Sequence, residues 1–176
     1  MVVHNGMIEN YNAIKEKLIA AGIEQKTQTD TELIAIYTKY LMDTEGLSTE
    51  EAFGRCFMQL RGSNCCLLID KKQPDRIFAA KNSGSLFIGM YEKGFVISSD
   101  VSAFQQFTRK YVKVPNNEIV VITKDEIIKK TNIMTEEGIR TIRNEVIDKK
   151  PKAGFKYFLE QEIFEQPEAV SRSLNF

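Results

Sequence analysis

Excess charge of either sign is missing from this 176-residue chain: Lys plus Arg and Asp plus Glu are 24 each. Nucleic acids and anionic lipid surfaces are bound by concentrated positive charge, so the balance argues against either as the main partner. Long apolar runs are missing too. Cys65 to Ile69 and Ile119 to Ile122 are typical of the longest, far short of the roughly 20 residues that cross a bilayer. Met1-Val2-Val3-His4-Asn5-Gly6 has no basic stretch leading into a long apolar one, so it does not read as a secretory signal. Cysteine is scarce and odd in number, three, with Cys65 and Cys66 adjacent, which makes no disulfide framework. The one histidine has no second His or Asp at ligand spacing, so no metal site is expected. A Walker-type loop and a dinucleotide fingerprint are also absent, and no cofactor is expected. These exclusions leave a reduced, cytoplasmic globular protein of one domain's length, whose 43% hydrophobic content suffices for a core.

Val2 to His4 reads as a short strand ended by Asn5-Gly6. Tyr11, Ile14, Leu18 and Ala21 recur at helical spacing and predict a helix from Glu9 to Ala21, stopped at Gly22. Thr29-x-x-Glu32 and Ser48-x-x-Glu51 are two capping-box patterns. The first opens a helix with Leu33, Ile34, Tyr37, Tyr40 and Leu41 on its apolar face; the second opens one to about Leu60, with Phe53, Cys56, Phe57 and Leu60 inward. The pattern then changes to short apolar runs between turn residues: Asn64 to Asp70, Ile77 to Lys81, Leu86 to Met90 and Phe95 to Ser98. A short helix from Asp100, strands Tyr111 to Val114 and Glu118 to Thr123, and a final strand with a loose segment over Asp125 to Lys150 follow. Gly154 to Phe164 is a last amphipathic piece, closed by Pro167. No internal repeat is present. Helices grouped first and strands grouped after predict a layered α+β fold.

Three residues stand out as carriers of chemistry. An Asn side-chain amide and a Gly backbone N–H are suitable donors for the oxyanion of an amide-cleaving reaction, which makes Asn5 and Gly6 candidates. Asn-Gly is equally the commonest tight hairpin turn, so both readings stand at this point. Asp30 lies in the first turn of a helix, where a carboxylate stabilises the terminus by about 0.3–1 kcal/mol; the alternative is pairing with the α-ammonium of an amino-acid substrate. His4 reads as a packed, hydrogen-bonded residue rather than a catalytic base. The cysteines lie on apolar elements and read as packing, and Gly84-Ser85 is an anion-binding turn only on weak grounds.

The motifs in order add a resemblance. Val2-Val3-His4-Asn5-Gly6-Met7-Ile8-Glu9-Asn10, Thr29-Asp30-Thr31-Glu32, Leu60-Arg61-Gly62, Ser99-Asp100 to Ala103 with Thr108-Arg109, and Glu162-Ile163-Phe164-Glu165-Gln166-Pro167 resemble consecutive segments of the glutamine–fructose-6-phosphate aminotransferase (isomerizing) family. The resemblance covers nearly the whole chain. It implies an N-terminal-nucleophile (Ntn) hydrolase fold, a four-layer αββα sandwich incomplete at its N-terminus, with residues 1–150 as a partial glutaminase domain and 151–176 as the start of a linker to a sugar isomerase domain. It implies oxyanion donors at Asn5 and Gly6, α-ammonium binding at Asp30, and L-glutamine as substrate. It further implies fructose 6-phosphate as a partner through the isomerase domain, and homo-oligomers of the complete enzyme. The family's nucleophilic Cys lies upstream of its H-N-G segment, with its own α-amine as base; none precedes His4 here. The chain as given is therefore expected to be inactive alone, and to fold poorly or associate through uncovered sheet surface. Other departures are Ser85 for a usual Pro, Gln161 for a usual Lys, and Ser63-Asn64-Cys65-Cys66 where a G-A-x-A-like start is commoner. A non-catalytic glutamine-binding or regulatory module, or half of a split amidotransferase, is the alternative.

Overall fold

Three amphipathic segments in the first sixty residues bury apolar stripes against one sheet. In the computed structural model, which describes residues 1–128, 139–141 and 154–174, these are α1 (Tyr11–Ala20), α2 (Asp30–Glu45) and α3 (Thr49–Gln59). Ile14 and Leu18, then Leu33, Ile34, Tyr37 and Leu41, then Ala52, Phe53, Cys56 and Phe57 are their buried faces, at the spacing a helix requires. The two capping-box patterns diverge. Ser48 and Glu51 close the box at α3: Ser48 Oγ accepts the Glu51 N–H at 3.3 Å and the Glu51 carboxylate accepts the Ser48 N–H at 3.0 Å. At α2, Thr29 makes no side-chain cap. Its hydroxyl pairs with that of Thr27 at 2.9 Å, and Glu32 reaches back to the N–H groups of Lys26 and Thr27. Those bonds hold the Glu32 carboxyl below its ordinary range, the Thr27 hydroxyl contributing most.

The strands are β1 (Val2–Gly6), β2 (Asn64–Asp70), β3 (Gln73–Lys81), β4 (Phe87–Tyr91), β5 (Gly94–Ser98), β6 (Lys110–Lys113), β7 (Glu118–Ile122), β8 (Ile127–Ile128) and β9 (Ile139–Thr141). They form two antiparallel sheets, ordered β1-β2-β3-β7-β8 and β5-β4-β6-β9. Alternation of side chains divides the core. Cys66, Leu68, Phe78, Ala80 and Val121 pack with the helices. The intervening Leu67, Ile77, Ala79, Val120 and Ile122 meet Ile88 and Val112 of the second sheet and Leu86 and Val114 at the ends of its strands. Helix, sheet and sheet are thus the layers among the described residues. On the far face of the second sheet lies the short 3-10 turn Val101–Ala103, and Phe104 after it fills the space above Gly89, where a Cβ would come within 2.7 Å of its ring.

The chain divides into two units, Met1–Arg143 and Asn144–Phe176. The second carries α4 (Phe158–Leu174). This helix runs through Pro167 instead of closing there. Proline withholds one N–H from the carbonyl four residues back, that of Ile163, while Glu, Gln and Ala on both sides favour the helix. Of the expected strand and loose segment over Asp125 to Lys150, β8 and β9 are described; residues 129–138 and 142–150 lie outside the described set. No described helix is long and apolar enough to cross a membrane.

Candidate active site

Pairing between β1 and β2 decides where the Asn5-Gly6 pair points. The register sets Asn5 opposite Cys65 and Gly6 opposite Asn64, and it continues past the strand: Met7 N–H donates to Ser63 O at 3.0 Å and Glu9 N–H to Arg61 O at 3.1 Å. Asn5-Gly6 is therefore not a hairpin turn. Gly6 has φ +146°, and a Cβ there would stand 2.0 Å from the Ser63 carbonyl oxygen; Gly62, φ +93°, would put one 2.3 Å from Met7 O. Two backbones approach this closely only with glycine on each.

Residues opposite one another in an antiparallel pair alternate between hydrogen-bonded and non-bonded. Met1, Met7 and Glu9 bond to the partner segment, so the N–H groups of His4, Gly6 and Ile8 point away from it. Among the described residues β1 is first in its sheet, and its outward edge meets α2: Ile8 N–H donates to Asp30 Oδ2 at 3.3 Å. Gly6 N–H points to the same side, two residues earlier, about 7 Å away at the rise of an extended strand. The side chains alternate as well. Asn5 is exposed with Val3 and Met7 on one face, whereas His4 and Ile8 face the helices.

Asp30 is the first residue of α2, with Thr29 as N-cap. A favourable helix terminus accounts for a negative charge there but not for its direction. The carboxylate turns to β1, taking the Ile8 N–H on Oδ2 while Oδ1 lies 3.4 Å from Thr31 Oγ1 and 3.6 Å from His4 Nδ1. It remains about one-third exposed, whereas the His4 side chain is enclosed at 1%. His4 Nε2 lies 3.0 Å from Asn64 Oδ1 and Nδ1 lies 3.4 Å from Thr31 Oγ1, so His4 is the packed, hydrogen-bonded residue its context predicts. Asp30 and the outward edge of β1 are brought together; the Asn5 side chain stands on the opposite face of the strand from His4.

None of the three cysteines is poised as a nucleophile, for which the thiolate is required. Cys56 is fully buried, its Sγ 3.7 Å from Ile34 O, and burial pushes its thiol up to about 12. Burial also raises Cys66, which faces the helices, and Cys65, where the Lys81 ammonium opposes the rise. Lys81 is itself buried. It donates to Gly84 O at 3.2 Å and to Asn116 Oδ1, tying two loops together, and burial pushes its ammonium below the ordinary lysine range. The Gly84 turn is thus used through its carbonyl by a cation. Among the described residues no group of three or more His, Cys, Asp or Glu is placed to hold a metal.

Asn64 and Thr31 are site residues that pattern reading missed. The one available signal was a polar residue at the head of the apolar run Asn64 to Asp70, where Asn64 is fully buried.

A two-sheet antiparallel α+β fold with a glycine N–H and a carboxylate at one strand edge, and an exposed amide beside them on the strand's other face, agrees with what sequence comparison finds. Residues 1–106 match the glutamine amidotransferase domain, and the chain belongs to that family. Curated relatives within it include glutamine–fructose-6-phosphate aminotransferases (isomerizing). That of Shouchella clausii is 34% identical over 94% of this chain and 28% of its own length. That of Thermococcus kodakarensis is 32% identical over 99% and 29%, and that of Staphylococcus aureus strain Mu50 is 36% identical over 97% and 28%. The chain thus spans under a third of these relatives. Among solved structures, the glutamine phosphoribosylpyrophosphate amidotransferase of B. subtilis, in complex with ADP and GMP, superposes with a TM-score of 0.64. It does so at 22% identity, over 73% of this chain and 28% of that one, a likeness of fold.

Proposed function

We propose that these residues are the glutaminase part of an enzyme that makes glucosamine 6-phosphate and glutamate from fructose 6-phosphate and glutamine. The observation that carries this reading is the shared edge of β1. Gly6 N–H points outward, and two residues on the same edge meets Asp30. An extended glutamine separates its side-chain carbonyl from its α-amine by roughly 5 Å, from bonds of about 1.5 Å. One molecule can therefore set its amide carbonyl at Gly6 and Asn5 and its α-ammonium at Asp30. As a thiolate adds to the amide carbon, the oxygen becomes an anion, and donors already aimed at it stabilise the transition state more than the ground state.

The nucleophile in this reading is an N-terminal cysteine well upstream of His4-Asn5-Gly6, with its own α-amine as base, as in the family resembled. An α-amine of ordinary pKa, about 7.7–8.0, suits that role at neutral pH. Residues 1–150 are then glutaminase domain and 151–176 the start of the linker to an isomerase domain that takes fructose 6-phosphate. The complete enzyme is cytoplasmic and homo-oligomeric. A helical layer over the second sheet would complete an αββα sandwich; exposed Tyr91 and Phe107 on that side support it. The second reading is a module that binds glutamine without cleaving it, which needs the Gly6 edge and Asp30 but no thiol.

Calorimetric titration with L-glutamine tests the site. Binding is expected in the wild type, and Asp30→Ala should weaken it by roughly tenfold or more, the scale of one charge-assisted contact. Equal affinity in the variant would leave Asp30 a helix-terminus residue only.

A further inference from the structure

We propose that Asn64 is a positioning residue for the Asp30 carboxylate, acting by fixing which nitrogen of His4 carries the proton. The inference rests on the glutamine reading above and deepens it.

Asn64 is fully buried, and its amide is oriented from both ends. Nδ2 donates to Arg61 O at 3.1 Å, which turns Oδ1 to His4 Nε2 at 3.0 Å. Its backbone is clamped as well: Asn64 N–H donates to Asn82 Oδ1 at 2.8 Å, and Asn82 N–H returns to Asn64 O at 3.1 Å. Asn82 Nδ2 reaches Gly62 O at 2.9 Å. The Asn64 side-chain oxygen therefore cannot move to suit His4. An amide oxygen only accepts, so Nε2 must donate, and in a neutral imidazole the other nitrogen then has only a lone pair.

That nitrogen, Nδ1, faces Thr31 Oγ1 at 3.4 Å and Asp30 Oδ1 at 3.6 Å. As a lone pair it draws the one Thr31 hydroxyl proton, which otherwise donates to Asp30 Oδ1 at 3.4 Å, and it offers no proton of its own to Asp30. Oδ1 keeps its acceptor capacity for an incoming ammonium, while Oδ2 is held by Ile8 N–H. With the opposite tautomer, an Nδ1–H would donate to Thr31 Oγ1, whose own proton would then turn to Asp30 Oδ1 at 3.4 Å and compete with the substrate's cation. The buried amide thus sets, through one ring, whether the carboxylate at the strand edge is open.

The chain has a single histidine, so imidazole nitrogen NMR reports this ring without assignment. At a pH where the ring is neutral, the wild type should show the proton on Nε2. Asn64→Leu, similar in volume, should shift the ring toward an Nδ1-protonated population. In the same variant the preference for L-glutamine over its analogue lacking the α-amine should fall roughly tenfold, with affinity for the analogue unchanged. A lost fold would lower both affinities together. A wild-type ring protonated on Nδ1 overturns the proposal without any variant, as does an unchanged preference in a folded Asn64→Leu or, if leucine unfolds the chain, Asn64→Ser. A wild type that does not distinguish the two ligands overturns the glutamine reading and the proposed role of Asn64 with it; the ring spectrum then reports separately whether the tautomer lock exists.

Discussion

Gly6→Ala should destabilise the protein by roughly 3–5 kcal/mol, combining backbone strain at a conformation side chains avoid with overpacking against a neighbour. A Cβ at Gly6 would stand 2.0 Å from Ser63 O and 3.0 Å from Asn64 Cα. Both are backbone atoms, so no flexible side chain can yield. The only relief is to part β1 from the Ser63–Asn64 segment, which breaks the Met7 N–H to Ser63 O bond and shifts the edge on which Gly6 and Ile8 stand. A domain is stable by only about 5–15 kcal/mol, so the loss should lower the urea midpoint sharply and abolish glutamine binding. A midpoint within error of the wild type would mean that β1 and β2 do not approach as described.

Asn5→Ala should behave in the opposite way. Asn5 is exposed, and a surface truncation usually changes stability by no more than about 0.5 kcal/mol. In the complete enzyme, with the nucleophilic cysteine upstream of Met1, however, the rate of glutamate release should fall by about 10²–10³-fold, the scale of one oxyanion donor. The loss should appear in kcat more than in KM, because the donor acts on charge that develops only in the transition state. A rate within a fewfold of the unmodified enzyme would assign the oxyanion to other donors.

The helices were legible because their evidence is local: apolar stripes at Ile14 and Leu18 or Phe53 and Phe57, and a capping box at Ser48 and Glu51 that closes as read. The same box at Thr29 and Glu32 fails for a reason no four-residue pattern contains: the loop at Lys26 and Thr27 offers Glu32 better donors. The strand meander was legible for the same local reasons, and so was a strand over Val2 to His4, but not its continuation through Asn5-Gly6 or its pairing. Its partner lies some sixty residues later, and within five residues Asn5-Gly6 has the form of a turn. That pairing makes Gly6 an edge donor rather than a bend. Asp30 could be marked as a carboxylate at a helix start, yet its contact with Ile8 N–H depends on how α2 crosses the sheet. Asn64 was hidden because its polar bonds go to Arg61, Asn82 and His4, on three separate segments.

The most direct measurement is a two-dimensional ¹⁵N spectrum of the 176-residue protein titrated with L-glutamine. If the outward edge of β1 holds the substrate, the Gly6 and Ile8 amides and the Asn5 side-chain amide should shift together and saturate at one concentration. Residues around Tyr91 and Phe107, which line a separate cavity of about 990 Å³, should stay in place. Saturable shifts at Tyr91 and Phe107 with Gly6 and Ile8 unmoved, or no shifts at all, would contradict a glutamine site at this edge.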